Sequence, residues 1–137
     1  MRLKSGESMS DQPLISVTVC MRNAAHWIDD CMESLIQQTY RPLEIIAVDD
    51  GSTDGGDSKL DSWKGSHNGI PIIVLHQTAK GLSAGRNLAV ENSNGEWIAI
   101  TDQKGTRIGD KTYSGWTLIG ADKLNGINTT VWKHTNG

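Results

Sequence analysis

Three short polar clusters carry the side chains able to do chemistry: Cys20-Met21-Arg22-Asn23, the run Asp49-Asp50-Gly51-Ser52-Thr53-Asp54, and Thr101-Asp102-Gln103-Lys104. Each follows directly on an apolar or β-branched stretch, the place where a strand ends and a ligand crevice opens in an α/β sheet. Two adjacent carboxylates at such an end send at least one into the crevice, where it can accept a hydrogen bond from a base N–H or a ribose hydroxyl. Gly51 and Ser52 are small enough to let the backbone approach a ligand. The competing reading is a solvated turn. A calcium loop is also mimicked, since Asp50, Ser52, Asp54 and Gly55 occupy positions 1, 3, 5 and 6 of the EF-hand pattern. That reading fails on context: an apolar strand precedes the run where a helix is needed, Asp57 replaces the apolar residue of position 8, and Asp61 stands where the long bidentate glutamate belongs.

The elements that must hold these clusters follow from periodicity. Leu14 to Cys20 is β-branched and reads as a first strand, and Asn23 is placed to cap the helix that follows. Ile28, Met32, Leu35 and Ile36 form an apolar stripe opposite Asp29, Asp30 and Glu33. L-E-I-I-A-V at 43–48 is a second strand, buried on both faces, followed by a loop from Asp49 to Asp57 and a short helix to about Trp63. Ile70 to Leu75 is a third strand; Gly81 to Asn92 is a helix with Ser83 as its cap and Leu82, Leu88 and Ala89 inward; Glu96 to Ile100 is a fourth strand. Strands separated by helical crossovers predict a three-layer α/β fold with a parallel sheet. Beyond Asp102 the pattern changes to two strands, Tyr113–Gly120 and Ile127–His134, joined by A-D-K-L-N-G and anchored by Trp116 and Trp132: a β-hairpin extension. The domain reading is a mobile segment over 1–12, an α/β unit over 13–102 and a tryptophan-containing extension over 103–137.

Composition narrows the function classes. With 36% hydrophobic and 21% charged residues in 137, the chain is lean but too apolar for disorder. Residues 1–102 hold 8 basic against 14 acidic side chains, and 103–137 hold 5 against 2, so neither half forms the positive stripe that nucleic acid requires. No apolar run is long enough for a membrane span and 1–12 lacks a signal-peptide core, which predicts a cytoplasmic address in which the Asn128-Thr129-Thr130 sequon stays unmodified. Cys20 and Cys31 read as two reduced thiols. His26, His67, His76 and His134 lie on different elements, predict no metal cluster and receive no role.

Four motifs in order, P-L-I-S-V-T-V-C-M-R-N, S-L-I-Q-Q-T-Y-R-P-L-E-I-I-A-V-D-D-G-S-T-D, K-G-L-S-A-G-R-N-L-A and G-E-W-I-A-I-T-D, closely resemble the nucleotide-binding half of family 2 glycosyltransferases with the GT-A fold, over residues 13–102. The resemblance implies four parallel strands ordered 3-2-1-4 and a nucleotide-sugar donor, usually of uridine diphosphate. Asp50 would then recognise the base, Cys20 and Arg22 line the nucleotide pocket together with Ser52 of the same loop, Arg86 approach the diphosphate or brace the pocket, and Asp102 sit near the ribose as first acid of the D-x-D motif. The bland alternative for Arg86 is a helix-to-sheet brace.

One departure matters. The family's second D-x-D acid binds a manganese or magnesium ion, and here that position is Lys104, a proton donor and cation that repels such an ion. The acceptor-binding half, with its general base, is expected beyond this point, and thirty-five residues are too few to supply it. Those residues are instead faintly similar to bacterial tryptophan-rich C-terminal repeats. Three functions are weighed: an inverting transferase in which Lys104, Lys80 and Arg86 offset leaving-group charge without metal; a nucleotide-binding or protein-interaction module without chemistry; and a fragment that completes its sheet edge with the hairpin or with a second copy as a homodimer. The acceptor, whether glycan, lipid or protein, is left open.

Overall fold

The structure is a computed structural model that describes residues 12–102, 116–124 and 127–134, with side chains up to Ala99. The expected segment 1–12 therefore lies almost wholly outside the described residues, as do Lys104, residues 113–115 and the side chains of Asp102, Trp116 and Trp132. The chain runs β1 (Ile15–Met21), α1 (Ile28–Ile36), β2 (Leu43–Asp50), α2 (Gly56–Asp61), β3 (Gly65–His67), β4 (Ile70–Gln77), α3 (Leu82–Glu91), β5 (Trp97–Asp102), β6 (Trp116–Leu124) and β7 (Ile127–His134).

All but β3, β6 and β7 pair in parallel, in the order β4-β2-β1-β5, which is the expected 3-2-1-4 once the extra strand is counted. The sheet differs in detail at both edges. Gly65–His67 forms a short antiparallel strand on β4, and β7 pairs antiparallel with β5, followed outward by β6. The hairpin is thus a continuation of the sheet, and of the two expected ways of completing the sheet edge, the hairpin or a second copy, it is the hairpin strand β7 that pairs with β5. Its first strand runs past the expected Gly120, Ala121–Leu124 belonging to β6, while β7 has the expected bounds, leaving only residues 125 and 126 between the two. Asn128 to Thr130 of the sequon lie within β7, paired with Asp102 to Ile100.

Strand β2 is buried along its whole length because helices cover both faces. Its odd residues, with Ile15, Val17, Val19 and Met21 of β1, pack against Ile28, Met32 and Leu35 of α1 and Leu60 of α2. Ile46 and Val48, facing the other way, meet Ala89 and Leu88 of α3 and Cys20. Burying each such aliphatic side chain stabilises the fold by roughly 1.5–3 kcal/mol. The stripe read in α1 is the buried one, and Cys31 joins it.

Two expected caps are wrong. Asn23 lies well before α1, which begins at Ile28, and has φ 53°, so its side chain serves the neighbouring loop instead. Helix α3 is preceded by Gly81 at φ 100°, a conformation open to glycine, and Ser83 sits inside the first turn.

Candidate functional site

Asp49 and Asp50 are the last residues of β2 and not a loop, so strand alternation sends their carboxylates to opposite faces. Asp50 points to the α3 side and is 1% exposed. Its Oδ1 accepts from Gln77 Nε2 at 2.8 Å and Lys80 N at 2.8 Å, and Oδ2 accepts from Gly81 N at 3.1 Å. Burial pushes its pKa up, but the Lys80, Gln77 and Gly81 donors and the charge of Arg22 outweigh burial and hold the carboxyl below its ordinary value. Asp50 is therefore an anion gripping the segment that leads into α3.

Cys20, one strand over, lies under that helix. Gly85 packs so closely that a Cβ there would overlap Cys20 Sγ. Burial pushes the thiol up to about 12, the Arg86 charge opposing and Asp50 and Asp49 adding to the rise, so Cys20 stays protonated and is a wall residue without nucleophilic character. Cys20, Asp50 and Arg86 are thus gathered at one sheet edge, with exposed Arg22 close enough to act on Asp50. Asp102 ends β5, two residues past the Thr18–Ile100 pairing, which puts its backbone at the same edge as Cys20.

Asp49, on the α1 and α2 side, is 3% exposed. Its Oδ1 accepts from Ser52 N at 3.0 Å and its Oδ2 faces His76 Nδ1 at 3.1 Å, while His76 Nε2 faces Asp61 Oδ1 of α2 at 2.6 Å. The bonds to Asp61 and then Asp49 raise the histidine's pKa above its ordinary value. A neutral imidazole can donate from one nitrogen only, so two carboxylates on two nitrogens call for the imidazolium.

The loop after β2 is tied inward. Ser52 Oγ accepts from Asn23 N at 2.9 Å, Thr53 N donates to Asn23 Oδ1 at 2.8 Å, and Asp54 accepts from Ala25 N at 3.0 Å and Gly56 N at 2.9 Å. Ser52 accordingly braces two loops. Gly51, at φ 73°, is needed because a Cβ would lie 2.8 Å from Ala79 N, a close approach to this chain's own backbone. The calcium-like residues diverge, Asp50 under α3 and Asp54 toward Ala25.

Gln77, His76 and the Lys80–Gly81 backbone were missed by sequence reasoning. The signal was available, since His76 and Gln77 follow the apolar run of β4 as Asp49 and Asp50 follow that of β2, with Asp49 opposite His76 and Asp50 opposite Gln77. The end of β4 lies at the same carboxyl edge as the ends of the other three parallel strands. For a divalent cation the donor set does not fit: D-Q-K offers one carboxylate beside an amide and an ammonium, and among the described residues no three His, Cys, Asp or Glu side chains converge.

The family model described as glycosyl transferase family 2 matches residues 16–103. Glycosyltransferase GlyG of Streptococcus pneumoniae is 40% identical over 90 residues, covering 65% of this chain and 29% of that protein. The poly(ribitol-phosphate) beta-glucosyltransferase of Bacillus spizizenii is 30% identical over 125 residues, 90% of this chain and 20% of the relative. Among solved structures, the mannosyltransferase PcManGT of Pyrobaculum calidifontis, in complex with GDP-Man and Mn2+, superposes with a TM-score of 0.61 at 28% identity over 69% of this chain and 28% of that one. S. aureus TarS 1-349 follows at 0.53, with 26% identity over 63% and 26%. The chain spans a third or less of the length of these relatives, and the likeness of 113–134 to tryptophan-rich repeats finds no support among them. With more than half of its residues inside the family model, the chain belongs to glycosyltransferase family 2.

Proposed function

We propose that this chain binds a nucleotide-sugar, with a uridine diphosphate donor, for inverting glycosyl transfer. In this reading residues 13–102 form the nucleotide-sugar-binding unit and 103–137 a β extension. The observation that carries it is the buried, ionised Asp50 at the carboxyl edge of β2, inside the segment matching the family, with Arg22 close enough to act on it and Cys20, itself near Arg86, on the neighbouring strand. A permanent anion in a crevice suits the N–H of a base.

In the reaction an acceptor hydroxyl attacks the anomeric carbon from the face opposite the diphosphate and gives its proton to a general base or to water, the bond from that carbon to the phosphate oxygen breaks, and the diphosphate leaves with the electron pair. Asp50 holds the base, Cys20, Arg22 and Ser52 bound the nucleotide pocket, and Asp102 meets the ribose. Arg86, Lys80 and Lys104 supply positive charge where the leaving group becomes more negative, the role a divalent ion plays in a site with two acids. A second reading, a nucleotide-sugar-binding module without turnover, is favoured by the same D-Q-K sequence.

Calorimetric titration with UDP and UDP-sugars, with and without Mn2+, tests both. Binding that ignores the metal and disappears in Asp50→Ala is the expected result, and sugar release or transfer then separates enzyme from module. A folded protein that takes up no nucleotide at millimolar concentration overturns the proposal.

A further inference from the structure

Asp50 is the residue through which the proposed site reads a base, and most of its acceptor capacity is already in use. An ionised carboxylate offers about four lone-pair positions, two on each oxygen. Among the described residues, Oδ1 takes both Gln77 Nε2 and Lys80 N at 2.8 Å, while Oδ2 takes Gly81 N at 3.1 Å. One acceptor position is left, on Oδ2. The guanine edge presents two neighbouring donors, N1–H and the 2-amino group, which pair side by side with both oxygens of a carboxylate. Uracil presents a single N–H between two carbonyls and needs one.

We propose that Gln77 is a specificity-determining residue of this site: by filling Asp50 Oδ1 it leaves room for a base with one N–H and refuses guanine. The inference rests on the nucleotide reading above and adds to it the residue that sets base choice. Gln77 is the donor of the set that selection can change, because the other two are backbone amides. Its orientation is forced. Nε2 also lies 3.4 Å from Gly81 O, and an inverted amide would turn its carbonyl onto both that oxygen and the carboxylate. Its position is forced as well, since Gln77 pairs in register with Asp50 across β2 and β4 and its Nε2 would lie 3.4 Å from a Cβ placed on Gly85.

The test compares UDP and GDP binding by calorimetry for the whole chain and for Gln77→Leu, Gln77→Met and Gln77→Lys, each first checked for folding by circular dichroism. The unmodified chain is expected to favour UDP by about tenfold or more, the effect of one unpaired base donor. Leu and Met remove the donor and free an Oδ1 position, so the preference falls by about tenfold, mostly through tighter GDP binding. Lys supplies a donor again and keeps the preference. A UDP-to-GDP ratio that stays fixed in Leu and Met while UDP still binds overturns the role of Gln77 and leaves the nucleotide reading standing. Absence of any nucleotide binding by the unmodified chain overturns both. Should Leu and Met fail to fold, the unmodified chain still decides, because equal or better binding of GDP contradicts the acceptor count.

Discussion

Asp49 and Asp50 are neighbours in one strand, both buried, and the two faces of the sheet treat them differently. On the α3 face Asp50 meets neutral donors in a tightly packed setting, with Gly85 against Cys20 and Gly51 against Ala79. On the α1 and α2 face Asp49 meets a half-exposed histidine that is itself shared with an exposed aspartate. The first arrangement keeps its charge and geometry at any pH where Asp50 is ionised. The second depends on a proton. A strand end can thus carry a fixed buried anion and a titratable brace one residue apart, simply by alternation.

The largest effect expected from breaking this contrast is at Asp50. Asp50→Ala leaves the Gln77 amide and the Lys80 and Gly81 N–H groups without their acceptor in a buried place, which should lower stability by about 2–4 kcal/mol and remove nucleotide binding. Urea unfolding and calorimetry read the two losses separately. Unchanged stability would mean that the loop is held by something other than this carboxylate.

Packing on the same face comes next. Gly85→Ala drives a methyl into Cys20 Sγ, an overlap expected to destabilise by about 1–3 kcal/mol even though alanine is the better helix former. Adding Cys20→Ala makes room, so the double variant should be more stable than the sum of the singles predicts, with a coupling of about 1 kcal/mol or more in a double-mutant cycle. Additive losses would show that α3 shifts freely on β1.

How much of this was legible in the sequence differs by kind of signal. The stripe Ile28, Met32, Leu35 and Ile36 and the apolar run 43–48 are local patterns; they marked the buried face of α1, though not its start, and β2 to within two residues. Asp50 was legible because it follows such a run within motifs of a known family. Gln77 was not, because its importance lies in a cross-strand pairing with Asp50, 27 residues away, that no periodicity records. Asn23 misled for a physical reason: asparagine suits both a helix cap and a left-handed turn, and only the position of the loop at Ser52 and Thr53 decides between them. The hairpin beyond Asp102 was visible as two strands, but its place against β5 is a long-range register that composition does not encode.

On the other face the effects are smaller and depend on pH. His76 has a raised pKa in the folded chain, so the stability it contributes is fully present below the ordinary value of 6.5 and is lost as pH rises through the raised value. Its 42% exposure screens both ion pairs, which keeps the contribution modest. Urea midpoints measured from pH 6 to 9 should fall over that window and lose the slope in His76→Ala. A slope retained in the variant would assign the titration elsewhere and remove the proton from the contrast between the two aspartates.

The smallest effect is expected at Asp54, which lies on the same side as Asp49 but is fully exposed. Bonds from the Ala25 and Gly56 N–H groups lower its pKa, so its contribution is present above the ordinary carboxyl value of 3.8 and is lost as pH falls through the lowered one. At neutral pH Asp54→Ala should leave the unfolding midpoint nearly unchanged and speed amide hydrogen exchange at Ala25 and Gly56 alone, because water can replace the carboxylate at an exposed site as it cannot at Asp50. If exchange also quickens at Lys80 and Gly81, the two faces communicate through the loop that Asn23, Ser52 and Thr53 hold. The division between a fixed anion and a titratable brace would then have to be redrawn as one connected network.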